Sequence, residues 1–255
     1  KFKLNLDSKV FTNNFLNNLD KIDVLNIKSV VNTLKKTWID FAGDEIKSKF
    51  IFKETSADIY SSDLFAWFTD LQIIQIIRDP RDNFSSLKSG VDKYYSKLGE
   101  SEFETLTSMI NRAKLDMEMA IYNQKKYGTE KYMIIRYEDL VDDTYTVMRN
   151  ISNFLNIEFS SSMIKPTVFG AITNGNNFDK INLSSVSNIN ANNWKNRILD
   201  EEAKIIEYNF KHLMDYFNYE ICFTLDEQVL SQSNYYKWLN YRYFYHDRFN
   251  RGINR

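Results

Sequence analysis

Two hydrophobic periods alternate along this chain. Over residues 1–48 the apolar positions Val24, Leu25, Ile27, Val30, Val31, Leu34 and Trp38 sit on a polar background, the spacing of one or two amphipathic helices. Lys49-Phe50-Ile51-Phe52-Lys53 then reads as a short strand, and Tyr60 to Thr69 as a helix. Residues 72–77 hold four isoleucines interrupted only by Gln75, the pattern of a buried strand. Helices are predicted from Asn83 to Tyr95 and from Glu102 to Lys126. The second carries Phe103, Leu106, Ile110, Ala113, Met117 and Ile121 on one face. Lys125 and Lys126 in its last turn complement the helix dipole, and Gly128 supplies the stop.

Tyr132 to Tyr137 forms a third predicted strand. A helix over 138–155 follows, expected to bury Leu140, Tyr145, Met148, Ile151 and Leu155. Residues 157–193, rich in Ser and Asn and broken by Pro166, Gly170 and Gly175, read as irregular. A further helix runs from Leu199 to Tyr216, and the tail from Leu225 is dense in aromatics. Strands alternating with helices at this spacing predict an α/β fold, a central parallel sheet with helices on both faces. One domain is expected, with a helical part (1–48), a core (49–220) and an aromatic-rich C-terminal tail (221–255). Ligands of such sheets sit beyond the carboxyl ends of the strands. Lys53, Arg78 and Tyr137 each end a separate predicted strand, so the three are expected to converge on one rim.

Composition narrows the partners. The 255 residues carry a net charge of −1, which gives no global basic field for nucleic acid, so any anion site must be local. A single cysteine, Cys222, excludes an internal disulfide framework and a cysteine-rich metal site, and fits a reducing, cytoplasmic compartment. The most apolar window, Leu64 to Ile77, is interrupted by Asp70 and too short to span a bilayer. Neither glycine-rich phosphate-loop pattern occurs in these residues.

The chemistry concentrates in residues 72–86. The isoleucine strand stops at Arg78-Asp79-Pro80-Arg81, and a helix start follows with Asp82 as cap candidate and Ser85 and Ser86 close behind. A strand that delivers an arginine and a helix N-terminus to one place can build an anion site from backbone N–H groups, hydroxyls and a guanidinium. The plain alternative is a strand-to-helix turn with solvated charges.

Three blocks resemble the sulfotransferase family, whose donor is 3′-phosphoadenosine 5′-phosphosulfate (PAPS). Ile76 to Ser86 is similar to its 3′-phosphate-binding segment, in which an arginine ends a strand and a serine follows eight residues later, here Arg78 and Ser86. Arg136-Tyr137-Glu138-Asp139-Leu140-Val141 is similar to the segment whose tyrosine contacts the adenine, here Tyr137. Asn193-Trp194-Lys195-Asn196 resembles the end of the loop that folds over the nucleotide, and Phe52-Lys53-Glu54-Thr55 is a weaker fourth match. The resemblance spans residues 49–217 and implies a P-loop NTPase-like sheet, PAPS as donor, adenosine 3′,5′-bisphosphate as product and no metal.

It also implies roles. Arg78 and Ser86 would hold the 3′-phosphate, Tyr137 the adenine, and Ser187, Trp194 and Lys195 the nucleotide from the covering loop. Where well-known members carry Arg-Lys-Gly, beginning seven residues before the tryptophan, this chain has Ser187-Asn188-Ile189, neutral donors without charge assistance. Trp194 is equally read as a core plug. Lys53 is the candidate cation for charge developing on the transferred sulfuryl group. Thr55 stands where some relatives have a basic histidine, so Glu54 is the first candidate general base, with Asp58 nearby. Glu138 and Asp139 read as helix N-terminal charges, Arg81 and Ser85 as solvated bystanders, and His212 and His246 as structural or surface residues. The family's phosphosulfate loop is not among these residues and is expected upstream of Lys1. The acceptor would be a small molecule, lipid or carbohydrate hydroxyl, or an amine. The tail aromatics, interleaved with Arg242, Arg248, Arg251 and Arg255, are expected to pack back onto the domain or onto a second copy in a homodimer. A non-catalytic relative that kept the fold as a binding or assembly module is the alternative.

Overall fold

A computed structural model describes residues 7–42, 49–90, 102–168, 171–172 and 185–240. The chain falls into two compact units, Lys1–Leu71 with Thr167–Thr173, and Gln72–Pro166 with Asn174–Arg255.

In the first unit α1 (Ser8–Leu19) starts where Asp7 accepts the N–H groups of Lys9 and Val10 at 2.9 and 3.3 Å. Helix α2 (Ile27–Ala42) is opened by a reciprocal pair, in which Ser29 N–H donates to Asn26 Oδ1 and Asn26 N–H to Ser29 Oγ. Phe11 meets Trp38 and Phe41 edge-on at 5.8 and 5.7 Å and pins the two helices, whereas Val24, Leu25 and Ile27 of the expected apolar pattern are exposed. Helix α3 is Ser61–Trp67. The expected strand at 49–53 does not form. Those residues are irregular, with Ile51 83% exposed, and no described strand pairs with this short apolar run. The unit also holds a two-residue antiparallel pair, Thr167–Val168 with Ala171–Ile172.

The second unit contains the parallel sheet. Strands β1 (Ile73–Ile77) and β2 (Tyr132–Arg136) pair in parallel, with Ile73 opposite Tyr132 and Ile77 opposite Arg136. Ile73 and Ile77 are buried, whereas Ile76 is 55% exposed, so the run is not buried throughout among the described residues. Helices α4 (Pro80–Gly90) and α5 (Glu102–Tyr127) follow β1. The predicted face of α5 is the real one: Leu106, Ile110, Ala113 and Met117 are buried against Ile205, Ile206, Phe210 and Met214 of α8 (Asp200–Tyr216). Gly128 ends α5 at φ +84°, a conformation in which a β-carbon would collide with the Glu130 carboxylate.

The helix expected over 138–155 is two. Helix α6 (Tyr137–Asp142) stops at Asp143, whose carboxylate accepts Thr146 N–H and caps α7 (Thr144–Phe154). That bond holds the Asp143 pKa below its ordinary value. The break turns Tyr145 outward, half exposed against Phe159, instead of into the core. At the end of the described chain α9 (Leu225–Asn240) packs Tyr235 and Trp238 on Phe103 at 5.8 and 5.2 Å. Tyr235 and Trp238 therefore fold back onto their own unit, whereas Tyr236 is half exposed. Tyr241 to Arg255, including His246 and the four arginines, lies outside the described residues.

Candidate functional site

The register decides which side chains meet. Because Ile77 pairs with Arg136, the next residues on the two strands, Arg78 and Tyr137, emerge side by side at the carboxyl edge of the sheet. The Arg78 guanidinium lies over the Tyr137 ring, 4.7 Å from its centre. Its Nη2 donates to the Asn190 carbonyl at 2.6 Å, and its Nε is buried with no hydrogen-bond partner among the described residues. A buried donor left unmade costs about 1–3 kcal/mol, and no described residue supplies the acceptor that this Nε lacks. Ser86 lies one turn beyond Asp82 on α4, half-buried, its hydroxyl making no hydrogen bond to a described residue.

The turn before α4 is closed differently from the expectation. Pro80 takes the first helical position, where no N–H is needed, and Asp79, not Asp82, is the cap, accepting Arg81 N–H at 2.8 Å. The N–H of Asp79 is itself taken by Glu138 at 2.9 Å. The N–H groups of Asp79 and Arg81 are thus both taken by carboxylates of the protein itself.

Asp82 instead anchors the loop at 185–194. Its two oxygens accept Asn192 N–H at 2.6 Å and Trp194 N–H at 2.8 Å. Asn192 adopts φ +58°, a left-handed turn that asparagine tolerates, and this aims both N–H groups at one carboxylate. Burial pushes the Asp82 pKa above its ordinary value, against the lowering effect of the Arg78 charge and the two N–H bonds. Trp194, read as either nucleotide cover or core plug, is a core residue at 4% exposure, with the Arg81 guanidinium 4.3 Å from its ring centre. The Ser187 hydroxyl accepts Ile189 N–H at 3.3 Å, and Lys195 is exposed, 3.7 Å from Glu220.

Arg81 and Ser85 are not solvated bystanders. Arg81 is 2% exposed and pairs with both oxygens of Asp79, at 3.0 and 2.6 Å, and with Glu207 of α8 at 2.6 Å. Burial disfavours its charge, yet the bonds to Asp79 and Glu207 outweigh burial and hold its pKa above the ordinary arginine value. Ser85 is also buried. Nor is Glu138 a mere helix-end charge: it is buried, accepting Tyr219 O–H at 2.9 Å as well as the Asp79 N–H. Burial, then the Glu138 charge, pushes the Tyr219 pKa up. The distant partners Glu207 of Arg81 and Tyr219 of Glu138 lie 126 and 81 residues away, and no local spacing announces them.

Lys53 and Glu54 belong to the first unit. Lys53 is exposed on an irregular segment and is not a strand end. Glu54 is exposed, and its Oε1 accepts the N–H groups of Thr55 and Ser56 at 2.8 and 3.2 Å. His212 is a surface residue, 3.6 Å from Glu118. Among the described residues no group of His, Cys, Asp or Glu is arranged to hold a metal, and no helix is long and apolar enough to cross a membrane.

The family model described as "Sulfotransferase family" matches residues 26–161, more than half of the chain. The chain belongs to the sulfotransferase family. The match includes Lys53, Arg78, Ser86 and Tyr137, while Ser187, Trp194 and Lys195 lie beyond it. Two solved structures share the fold. A sulfotransferase domain from the curacin biosynthetic pathway superposes with a TM-score of 0.61 at 18% identity, over 86% of this chain and 76% of that one. The sulfotransferase domain of the Synechococcus PCC 7002 olefin synthase gives 0.51 at 15% identity, over 82% and 76%. No curated protein matches the sequence. The expected α/β architecture with a parallel sheet is thus that of a sulfotransferase.

Proposed function

We propose that this sulfotransferase uses PAPS as its donor and transfers the sulfuryl group to a hydroxyl or amine on a small-molecule acceptor. One observation carries the reading: an arginine at the carboxyl end of a parallel strand is stacked on Tyr137 and keeps a buried donor without a partner among the described residues. Arg78 would take the 3′-phosphate with Ser86, because a guanidinium and a hydroxyl suit a dianionic phosphate. Tyr137 would meet the adenine. The Asp82 anchor would hold the 185–194 loop beside them.

When bound, PAPS supplies the sulfuryl group, and negative charge grows on the sulfuryl and bridging oxygens as the acceptor attacks in line. Lys53 is the proposed cation for that charge and Glu54 the proposed base for the acceptor proton. Adenosine 3′,5′-bisphosphate is expected to raise the melting temperature of the protein, and Arg78→Ala to abolish the rise. An equal rise in the variant would refute the assignment of Arg78.

A further inference from the structure

A cavity of about 360 Å³ opens along β2, and none of the residues that gather around Arg78 lines it. Its size is within the range of small-molecule sites. The strand edge supplies its polar groups. At the start of β2, Tyr132 N–H donates to the Gly128 carbonyl and Tyr132 C=O accepts from Gln124 Nε2, so the peptide groups of this residue point away from β1. Residues two and four further on share that direction, because alternate residues of a strand present their N–H and C=O to the same edge. β1 is the partner of β2 among the described residues, which leaves Ile134 N–H and C=O and Arg136 N–H facing outward along the cavity.

Arg136 adds a cation. Its guanidinium is held 4.6 Å from the Tyr219 ring centre and 3.7 Å from Asp139, and its Nε is buried with no hydrogen-bond partner among the described residues. Tyr219 is fixed in turn by Glu138. The cavity lining therefore combines backbone N–H donors and one positive charge with the Asn150 amide and the apolar side chains of Val147 and Phe217. Donors and a cation set against hydrocarbon suit one ligand class. We propose that this cavity is a second ligand site, distinct from the Arg78 site, for a small amphipathic carboxylate. The carboxylate lies on Arg136 and the β2 edge, and the hydrocarbon part lies on Val147, Phe217 and Ile134. Asp139, more than half exposed, competes for the same guanidinium and weakens the site.

The test is an amide-resolved NMR titration of the chain with sodium octanoate, with octanol as the neutral comparison. Saturable shifts of the Ile134 and Arg136 amides are expected with octanoate, and binding of octanol about tenfold weaker. Arg136→Gln is expected to weaken octanoate about tenfold, Asp139→Asn to strengthen it about threefold, and Val147→Trp to abolish it by filling the cavity. Arg78→Ala is expected to leave octanoate binding unchanged, which separates this site from the nucleotide reading. Equal affinity for octanol, no saturable shift at these amides, or octanoate binding indifferent to both Arg136→Gln and Val147→Trp would overturn the proposal.

Discussion

Arg78 and Arg81 stand three residues apart in one turn and do opposite work. Arg81 is neutralised inside the unit by Asp79 and Glu207, whereas Arg78 is braced by a ring and a carbonyl and keeps donor capacity in reserve. Arg78 and Tyr137 were legible in the sequence because each follows directly on a strand, and strand ends are where a parallel sheet collects its ligand groups. Arg81 was not, since a charged residue in a turn is ordinarily solvated and its partner comes from a distant helix. If Ser86 completes the phosphate site, Ser86→Ala weakens adenosine 3′,5′-bisphosphate by about tenfold in a calorimetric titration, the value of one charge-assisted hydrogen bond. Unchanged affinity would remove Ser86 from the site.

Asp82 gives a prediction with a definite sign. Its folded pKa lies above the ordinary value of 3.8, so the folded state holds this proton more tightly than the unfolded chain. Its contribution to stability is complete below that ordinary value and is lost as pH rises through the folded pKa. Urea midpoints of wild type and Asp82→Asn, compared from pH 3 to 7, should show the wild type losing ground to the variant as pH rises. A gap moving the other way contradicts the burial argument.

At the scale of elements, periodicity read α5 correctly because its apolar stripe is long and faces a real partner in α8. It failed over 49–53, where a short apolar run without a paired neighbour among the described residues remains irregular, and over 138–155, where Asp143 caps a new helix. The turn between β1 and α4 is tied to α8 through Arg81 and to α6 through Glu138, so its shape depends on buried charge rather than on turn sequence alone. Removing Arg81 strands two buried carboxylates. Arg81→Ala should therefore cost about 3–5 kcal/mol in denaturant unfolding. A loss below about 1 kcal/mol would show that the network is replaceable.

For the whole molecule, the family could be read from three short blocks, two of them inside the match over residues 26–161, and the α/β class from strands alternating with helices, a fold the solved sulfotransferase domains share. The loop at 185–194 carried weaker signals, since its tie to Asp82 uses main-chain N–H groups and marks side-chain identity only through the left-handed Asn192. In the proposed function, the second unit presents a site for a nucleotide 3′-phosphate, centred on Arg78. The most direct measurement compares the affinities of adenosine 3′,5′-bisphosphate and adenosine 5′-monophosphate in wild type and in Arg78→Ala. The bisphosphate is expected to bind at least about tenfold more tightly to wild type, and the preference to vanish in the variant. Equal affinities in wild type, or a preference that survives the loss of Arg78, would contradict the proposed function.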